Sequence, residues 1–100
     1  MKLARVVGTV VATQKDEKLD GLKFFVLQDL GPKMELKDSI VIAADSVGCG
    51  VGEVVLYASG SSARQTTVTD KRPCDATVMA IVDAIDHADG RRLYDKSGKE

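Results

Sequence analysis

Apolar residues come in short runs that either alternate with polar ones or fill both sides of an extended chain, and each run ends at Gly, Pro, Asp or Ser. That spacing predicts β-strands joined by turns rather than helices. In Lys2–Gln14, Ala4, Val6, Val10 and Ala12 fall on one face, opposite Arg5, Thr9 and Thr13, and Gly8 in the middle predicts a bend or bulge. Asp16-Glu17-Lys18 reads as a solvated turn and Asp20-Gly21 as a second turn signal. A strand over Lys23–Leu30 follows and stops at Gly31-Pro32, because Pro has no N–H to give a ladder. Lys33–Asp38 reads as a polar loop, Ser39–Ala44 as a third strand and Val51–Ala58 as a fourth. Ser59–Asp70 is small, polar and Thr-rich, a loop with room for one helical turn.

The stretch Pro73–His87 is ambiguous. Asp75 would cap a helix starting at Ala76, but Val78–Ile85 is β-branched and Asp83 would sit on a largely apolar cylinder. A strand over Val78–Asp86 is therefore predicted, with any helical turn confined to residues 73–77. Ala88-Asp89-Gly90 has the residues of a hairpin turn, Arg91–Asp95 would pair back, and Lys96–Glu100 is a polar tail. Valine is the commonest large apolar residue, well ahead of leucine, which again favours pleated strands. The expected fold is all-β: a small closed barrel of the oligonucleotide-binding (OB) topology, five to six strands with at most one short helical turn, as one domain over residues 1–95.

Several strands are apolar on both faces. Ile40, Ile42 and Ala44 oppose Val41 and Ala43; Val54, Leu56 and Ala58 oppose Val55 and Tyr57; Val78, Ala80, Val82 and Ala84 oppose Met79, Ile81 and Ile85. A chain of 100 residues has little material to cover both sides of its own sheet. Either the barrel is crowded and tolerates surface aliphatics, or a second copy covers the faces; the simpler covering is a homo-oligomer.

Composition narrows the chemistry. The 14 basic and 15 acidic residues leave a net charge of −1, which argues against a nucleic-acid platform. No apolar run is long enough for a membrane helix. Arg5 and Thr9 interrupt the first apolar stretch, so no signal sequence and a cytoplasmic location are expected. Cys49 and Cys74 lack zinc-site spacing and read as reduced structural thiols. Gly48-Cys49-Gly50-Val51-Gly52 fits neither the dinucleotide nor the Walker pattern; it lies between strands, and Glu53 would repel a phosphate. With one His in the chain, chance alone supplies a nucleophile–base pair of either cysteine with His87, which beside a turn is expected to be exposed, and Asp83, Asp86 and Asp89 group only on a helix. No catalytic, cofactor or metal site is expected. Gly60-Ser61-Ser62-Ala63-Arg64 is the most unusual loop: small hydroxyl residues with an arginine can ring an anion, or crowd an axis where only small side chains fit.

Together, Val7-Gly8-Thr9-Val10, Leu19-Asp20-Gly21, Ala43–Leu56 with its Ala-Asp-Ser-Val-Gly-Cys-Gly-Val-Gly-Glu core, Gly60–Arg64, Asp75-Ala76 and Ile81-Val82-Asp83 resemble the EutN/CcmL family of bacterial microcompartment vertex proteins. The resemblance covers roughly residues 1–95 and implies an OB-like barrel assembled as a homopentamer at the five-fold corners of a polyhedral shell, beside hexameric facet proteins. It implies no enzyme activity, no cofactor, no membrane and no nucleic-acid partner. By position it places Ser59, Gly60, Ser61, Ser62, Ala63 and Arg64 near the five-fold axis. It makes Ala44, Asp45, Ser46, Gly48, Gly50, Gly52 and Glu53 a tight turn at a subunit contact, with Cys49 where a smaller residue is expected. The other reading is a stand-alone OB-type module for single-stranded nucleic acid or a small ligand, which would need exposed aromatic platforms and a basic groove.

Overall fold

Seven strands form in the computed structural model, which describes residues 1–98: β1 Lys2–Val10, β2 Phe24–Leu30, β3 Leu36–Asp45, β4 Val54–Ser59, β5 Ala76–Ile81, β6 Ala84–Asp86 and β7 Arg92–Asp95. The last two residues of the expected polar tail, Lys99 and Glu100, lie outside the described residues. The first five strands close a barrel in the order β1-β2-β3-β5-β4, with β4 returning to β1. All pairs are antiparallel except β3 with β5. Closure leaves no long unpaired edge, which suits a short β chain. β6 and β7 form a separate two-stranded hairpin.

The core is built from inward positions of every barrel strand: Ala4 and Val6, Phe25 and Leu27, Ala43, Val55 and Tyr57, Ala76 and Val78, joined by Cys49. Fully burying a Val or Leu side chain stabilises by about 1.5–3 kcal/mol. Tyr57 also carries a polar tie: its hydroxyl donates to Asp29, which accepts the Ser39 hydroxyl through its other oxygen at 2.7 Å. Burial opposes the Asp29 charge, but the hydroxyls of Tyr57 and Ser39, with Lys2 and Lys37 nearby, hold its pKa below the ordinary value. Burial, reinforced by Asp29, pushes the Tyr57 hydroxyl up to about 12.

Five boundaries differ from the expectation by more than one residue. β1 ends at Val10 rather than running to Gln14. β3 starts at Leu36, inside the stretch read as a polar loop, because exposed Leu36, Lys37 and Asp38 extend the ladder without burying anything. β4 starts at Val54, since Val51-Gly52 belongs to the preceding turn. The strand expected over 78–86 is two: β5 begins at Ala76, with no helical turn at 73–77, and breaks after Ile81 so that β6 pairs with β7 instead. Short 3-10 turns occur at Glu17–Leu19 and Gly60–Arg64.

Gly8 does mark a bulge. The register slips between Val6 and Gly8, leaving Val7 as the extra residue. A one-residue slip reverses the faces beyond it. Thr9 now pairs with inward Phe25, while Gly8 and Val10 pair with Val26 and Phe24 on the outer side. Val10 therefore does not share the inner face of Ala4 and Val6, as alternation alone predicts; it is partly exposed.

The two-faced strands separate into kinds. Val54, Val55, Tyr57 and Ala58 of β4 are all buried within the subunit. On β3, Ile40 and Ile42 remain 60% and 44% exposed.

Candidate functional site

β5 lies between the two segments singled out in the sequence. Ala44, at the end of β3, pairs with Thr77 on one side of β5; Ser59, at the end of β4, pairs with Ala76 on the other. The turn after Ala44 and the turn after Ser59 thus leave the barrel on either side of the first residues of β5.

The first turn is held by its own carboxylates. Asp45 accepts the N–H groups of Val47 at 3.0 Å, of Gly48 at 3.0–3.1 Å and of Cys49 at 3.3 Å. Glu53 accepts the Gly50 N–H at 2.6 Å through one oxygen and pairs with the Lys96 ammonium at 2.8 Å through the other. Ser46 donates to the Val78 carbonyl at 2.6 Å, tying the turn to β5. Gly52 donates to the Val6 carbonyl at 2.8 Å, tying it to β1. Gly48 and Gly52 have φ of 80° and 95°, a region that L side chains rarely adopt, so glycine is required there. Ala44 is buried. In the glycine run the amides of Gly48, Cys49 and Gly50 are occupied by Asp45 and Glu53 and that of Gly52 by the Val6 carbonyl, which leaves no anion cradle.

The second turn is held from its inner side. The carbonyl of buried Ala63 accepts the hydroxyls of Thr69 and Thr77, each at 2.7 Å; both threonines are themselves fully buried. The Gly60 N–H donates to the Asp75 carbonyl at 2.8 Å. Arg64 turns back and donates to the Cys74 carbonyl at 3.3 Å. Its guanidinium is therefore engaged by the backbone rather than free to ring an anion with the serines. Ser59, Gly60, Ser61 and Ser62 are exposed.

The C-terminal hairpin braces the first turn. The Arg5 guanidinium donates to the Gly52 carbonyl at 2.8 Å and stacks 5.9 Å from the ring centre of Tyr94 on β7. Lys96, in the segment read as a polar tail, holds Glu53 and donates its backbone N–H to the Asp83 carbonyl at 2.8 Å.

The family model described as ethanolamine utilisation protein EutN/carboxysome matches residues 1–83. The carboxysome shell vertex protein CcmL of Thermosynechococcus vestitus is 47% identical over 96 residues, 96% of each chain. The chain belongs to the EutN/CcmL family. The solved structure of Gloeobacter violaceus CcmL superposes with a TM-score of 0.91 at 42% identity, covering 97% of this chain and 99% of that one. The GrpN pentameric microcompartment shell protein from Rhodospirillum rubrum superposes with a TM-score of 0.79 at 41% identity, covering 87% of this chain and all of that one.

The EutN/CcmL match ends at Asp83, one residue before β6, so the bracing hairpin lies beyond it. Within the matched region, burial, aided by the Asp45 and Glu53 carboxylates, pushes the Cys49 thiol up to about 12, which makes it a poor nucleophile. Cys74 is also free and buried. His87 stands on the exposed hairpin turn beside Asp89 at 3.2 Å, where its backbone N–H closes the turn on Arg91. Among the described residues no three His, Cys, Asp or Glu side chains group to hold a metal, and no helix is long and apolar enough to cross a membrane.

Sequence reasoning missed three ties. Thr69 and Thr77 carry no motif, and only the fold brings them to Ala63. Arg72 donates to the carbonyls of Lys18 and Asp20 at 2.9 and 2.7 Å, fixing the loop after β1 across more than fifty residues of chain. That loop walls a groove of about 480 Å³, in which Leu19 and Leu22 face Val10, Val11 and Phe24.

Proposed function

We propose that this chain is a structural subunit of a bacterial microcompartment shell, in the cytoplasm, closing five-fold vertices as a homopentamer and catalysing no reaction. The observation that carries it is the likeness to vertex proteins across 96% of the chain, including a relative described as pentameric. The outer side of β3 supports it, because Ile40 and Ile42 are left for another surface to cover. The use of Asp45, Glu53 and Arg64 as structural ties also supports a building block: the residues a chemist would select are already committed. In this reading Ser59–Arg64 line the five-fold axis, Ala44–Glu53 support the subunit contact, and hexameric facet proteins surround the ring.

Binding of single-stranded nucleic acid is disfavoured by the aromatics. Phe25 and Tyr57 are buried and Tyr94 is engaged by Arg5, which leaves half-buried Phe24 without a second platform. Native mass spectrometry of the purified chain should show a pentamer; a monomer at all accessible concentrations overturns the vertex reading. Ser61→Trp should abolish the ring while circular dichroism keeps the β signal. A normal pentamer from that variant removes the turn from the axis.

A further inference from the structure

The chain between β1 and β2 hangs on a single side chain. Residues 11–22 are almost wholly exposed, with Leu19 and Leu22 half-buried against the groove. Their own hydrogen bonds are internal: Asp16 accepts the Lys18 N–H at 2.9 Å, Leu19 donates to the Asp16 carbonyl at 3.0 Å, and Leu22 donates to the Leu19 carbonyl at 3.2 Å. The Lys15 ammonium also stays within the segment, on Ala12 and Asp20. Among the described residues, the only hydrogen bonds joining 11–22 to the rest of the molecule come from Arg72, whose Nη1 donates to the carbonyls of both Lys18 and Asp20.

Arg72 is aimed at a cost and anchored from behind. Lys71 before it holds φ at 59°, a left-handed conformation that a side chain rarely adopts and that persists only where the surroundings impose it. The Arg72 N–H donates to the Thr69 carbonyl and its own carbonyl accepts the Cys74 N–H, each at 2.9 Å. Thr69 is fully buried, with its hydroxyl on the Ala63 carbonyl inside the second turn. The Cys74 carbonyl accepts Arg64 from the same turn. A continuous line of hydrogen bonds thus runs from Ala63 and Arg64 to Lys18 and Asp20.

We propose that residues 11–22 are a strap that opens as one unit, that Arg72 is its latch, and that the Ser59–Arg64 turn sets the latch through Thr69. Closed, the strap walls the groove; open, it uncovers Val10, Phe24 and Phe25. A latch that is either made or broken gives the two discrete arrangements that coupling between separate segments requires. The inference goes beyond the pentamer reading and needs only the subunit.

The test is cleavage by the glutamate-specific protease Glu-C, because Glu17 is exposed and is the strap's only glutamate. Cutting after Glu17 is followed by mass spectrometry, with all proteins diluted to one assembly state as judged by native mass spectrometry. Arg72→Met should be cut at least about 10-fold faster than the wild type, since cleavage tracks the open population and two hydrogen bonds are lost. Arg72→Lys should restore most of the protection, because one donor nitrogen serves both carbonyls. An unchanged rate in Arg72→Met overturns the latch. Thr69→Val and Thr77→Val each remove one donor from the Ala63 carbonyl, but only Thr69 stands in the line to Arg72. Thr69→Val should speed cleavage about 3-fold or more, and Thr77→Val should leave it unchanged; equal rates in the two overturn the coupling. If Thr69→Val fails to fold, exposed Lys71→Val decides, since a β-branched residue resists positive φ and should loosen the latch. A wild-type rate there overturns the setting of the latch from this side. Because rates are compared within one assembly state, the outcome is separate from whether the wild type forms pentamers.

Discussion

The turn over Asp45–Glu53 and the turn over Ser59–Arg64 flank the same strand and are both rich in small residues, yet they satisfy their backbones in opposite ways. The first is closed by charge: two carboxylates take four different turn amides, and a lysine from the hairpin steadies one of them. The second is closed by neutral hydroxyls from beneath, with Thr69 and Thr77 on one carbonyl, so its outer surface of Ser59, Gly60, Ser61 and Ser62 is left bare. A loop whose supports lie on the inside can bring small side chains close to copies of itself without repelling them. A loop stiffened by fixed carboxylates keeps one shape whatever lies against it. The physical difference is where the polar groups sit relative to the surface offered.

The contrast can be broken from either side. Asp45→Ala strips an acceptor from three amides at once and should destabilise the subunit by about 2 kcal/mol, read from urea unfolding at a fixed subunit concentration; a loss within about 0.5 kcal/mol, the range of ordinary surface changes, means water replaces the carboxylate and the turn is not held by charge. Thr77→Val keeps the shape but removes one of two donors to the Ala63 carbonyl, and should cost about 1 kcal/mol. An unchanged unfolding midpoint shows that Thr69 alone suffices. Glu53→Gln is the mildest test, since it preserves an acceptor for Gly50, and its effect lies in pH dependence. The Lys96 ammonium, with the Gly50 N–H, holds the Glu53 carboxyl below its ordinary value of 4.5. A depressed folded pKa contributes stability that is present above that ordinary value and lost as pH falls through the folded one. Between pH 7 and pH 3, roughly, the wild type should lose stability more steeply than Glu53→Gln on the acid side; parallel curves show that the Lys96 contact adds nothing.

Much of the barrel was legible because strand periodicity and turn residues are local. β2 lies within one residue of its apolar run, the hairpin turn falls on Ala88-Asp89-Gly90, and the bend falls at Gly8. The consequence of that bend was not legible. Whether a bulge keeps or reverses the facing of Val10 depends on its pairing with β2, and pairing is a property of two segments. Similarly, Leu36–Asp38 looks like a loop because its residues are polar or exposed, and only the Leu30 partner makes it strand. The break after Ile81 has the same origin: the β-branched run continues, but Val82 donates its N–H to Val54 and Ala84 finds its partner in β7. For the two turns, residue types single out the segments, while the roles of Asp45 and Glu53 as amide acceptors emerge only with the folded loop.

What the sequence determines by itself is the class of the molecule: Val-rich two-faced strands, balanced charge, few residues suited to catalysis, and motif spacing that resembles one family. These follow from short-range preference and composition, which need no partner segment. The tertiary structure decided which apolar faces stay uncovered. The β4 and β3 patterns look alike in sequence, yet Val54 and Val55 are sealed inside one subunit while Ile40 and Ile42 face outward. Burial is set by what the closed sheet and its loops place opposite a residue, and that is a long-range fact no local pattern contains.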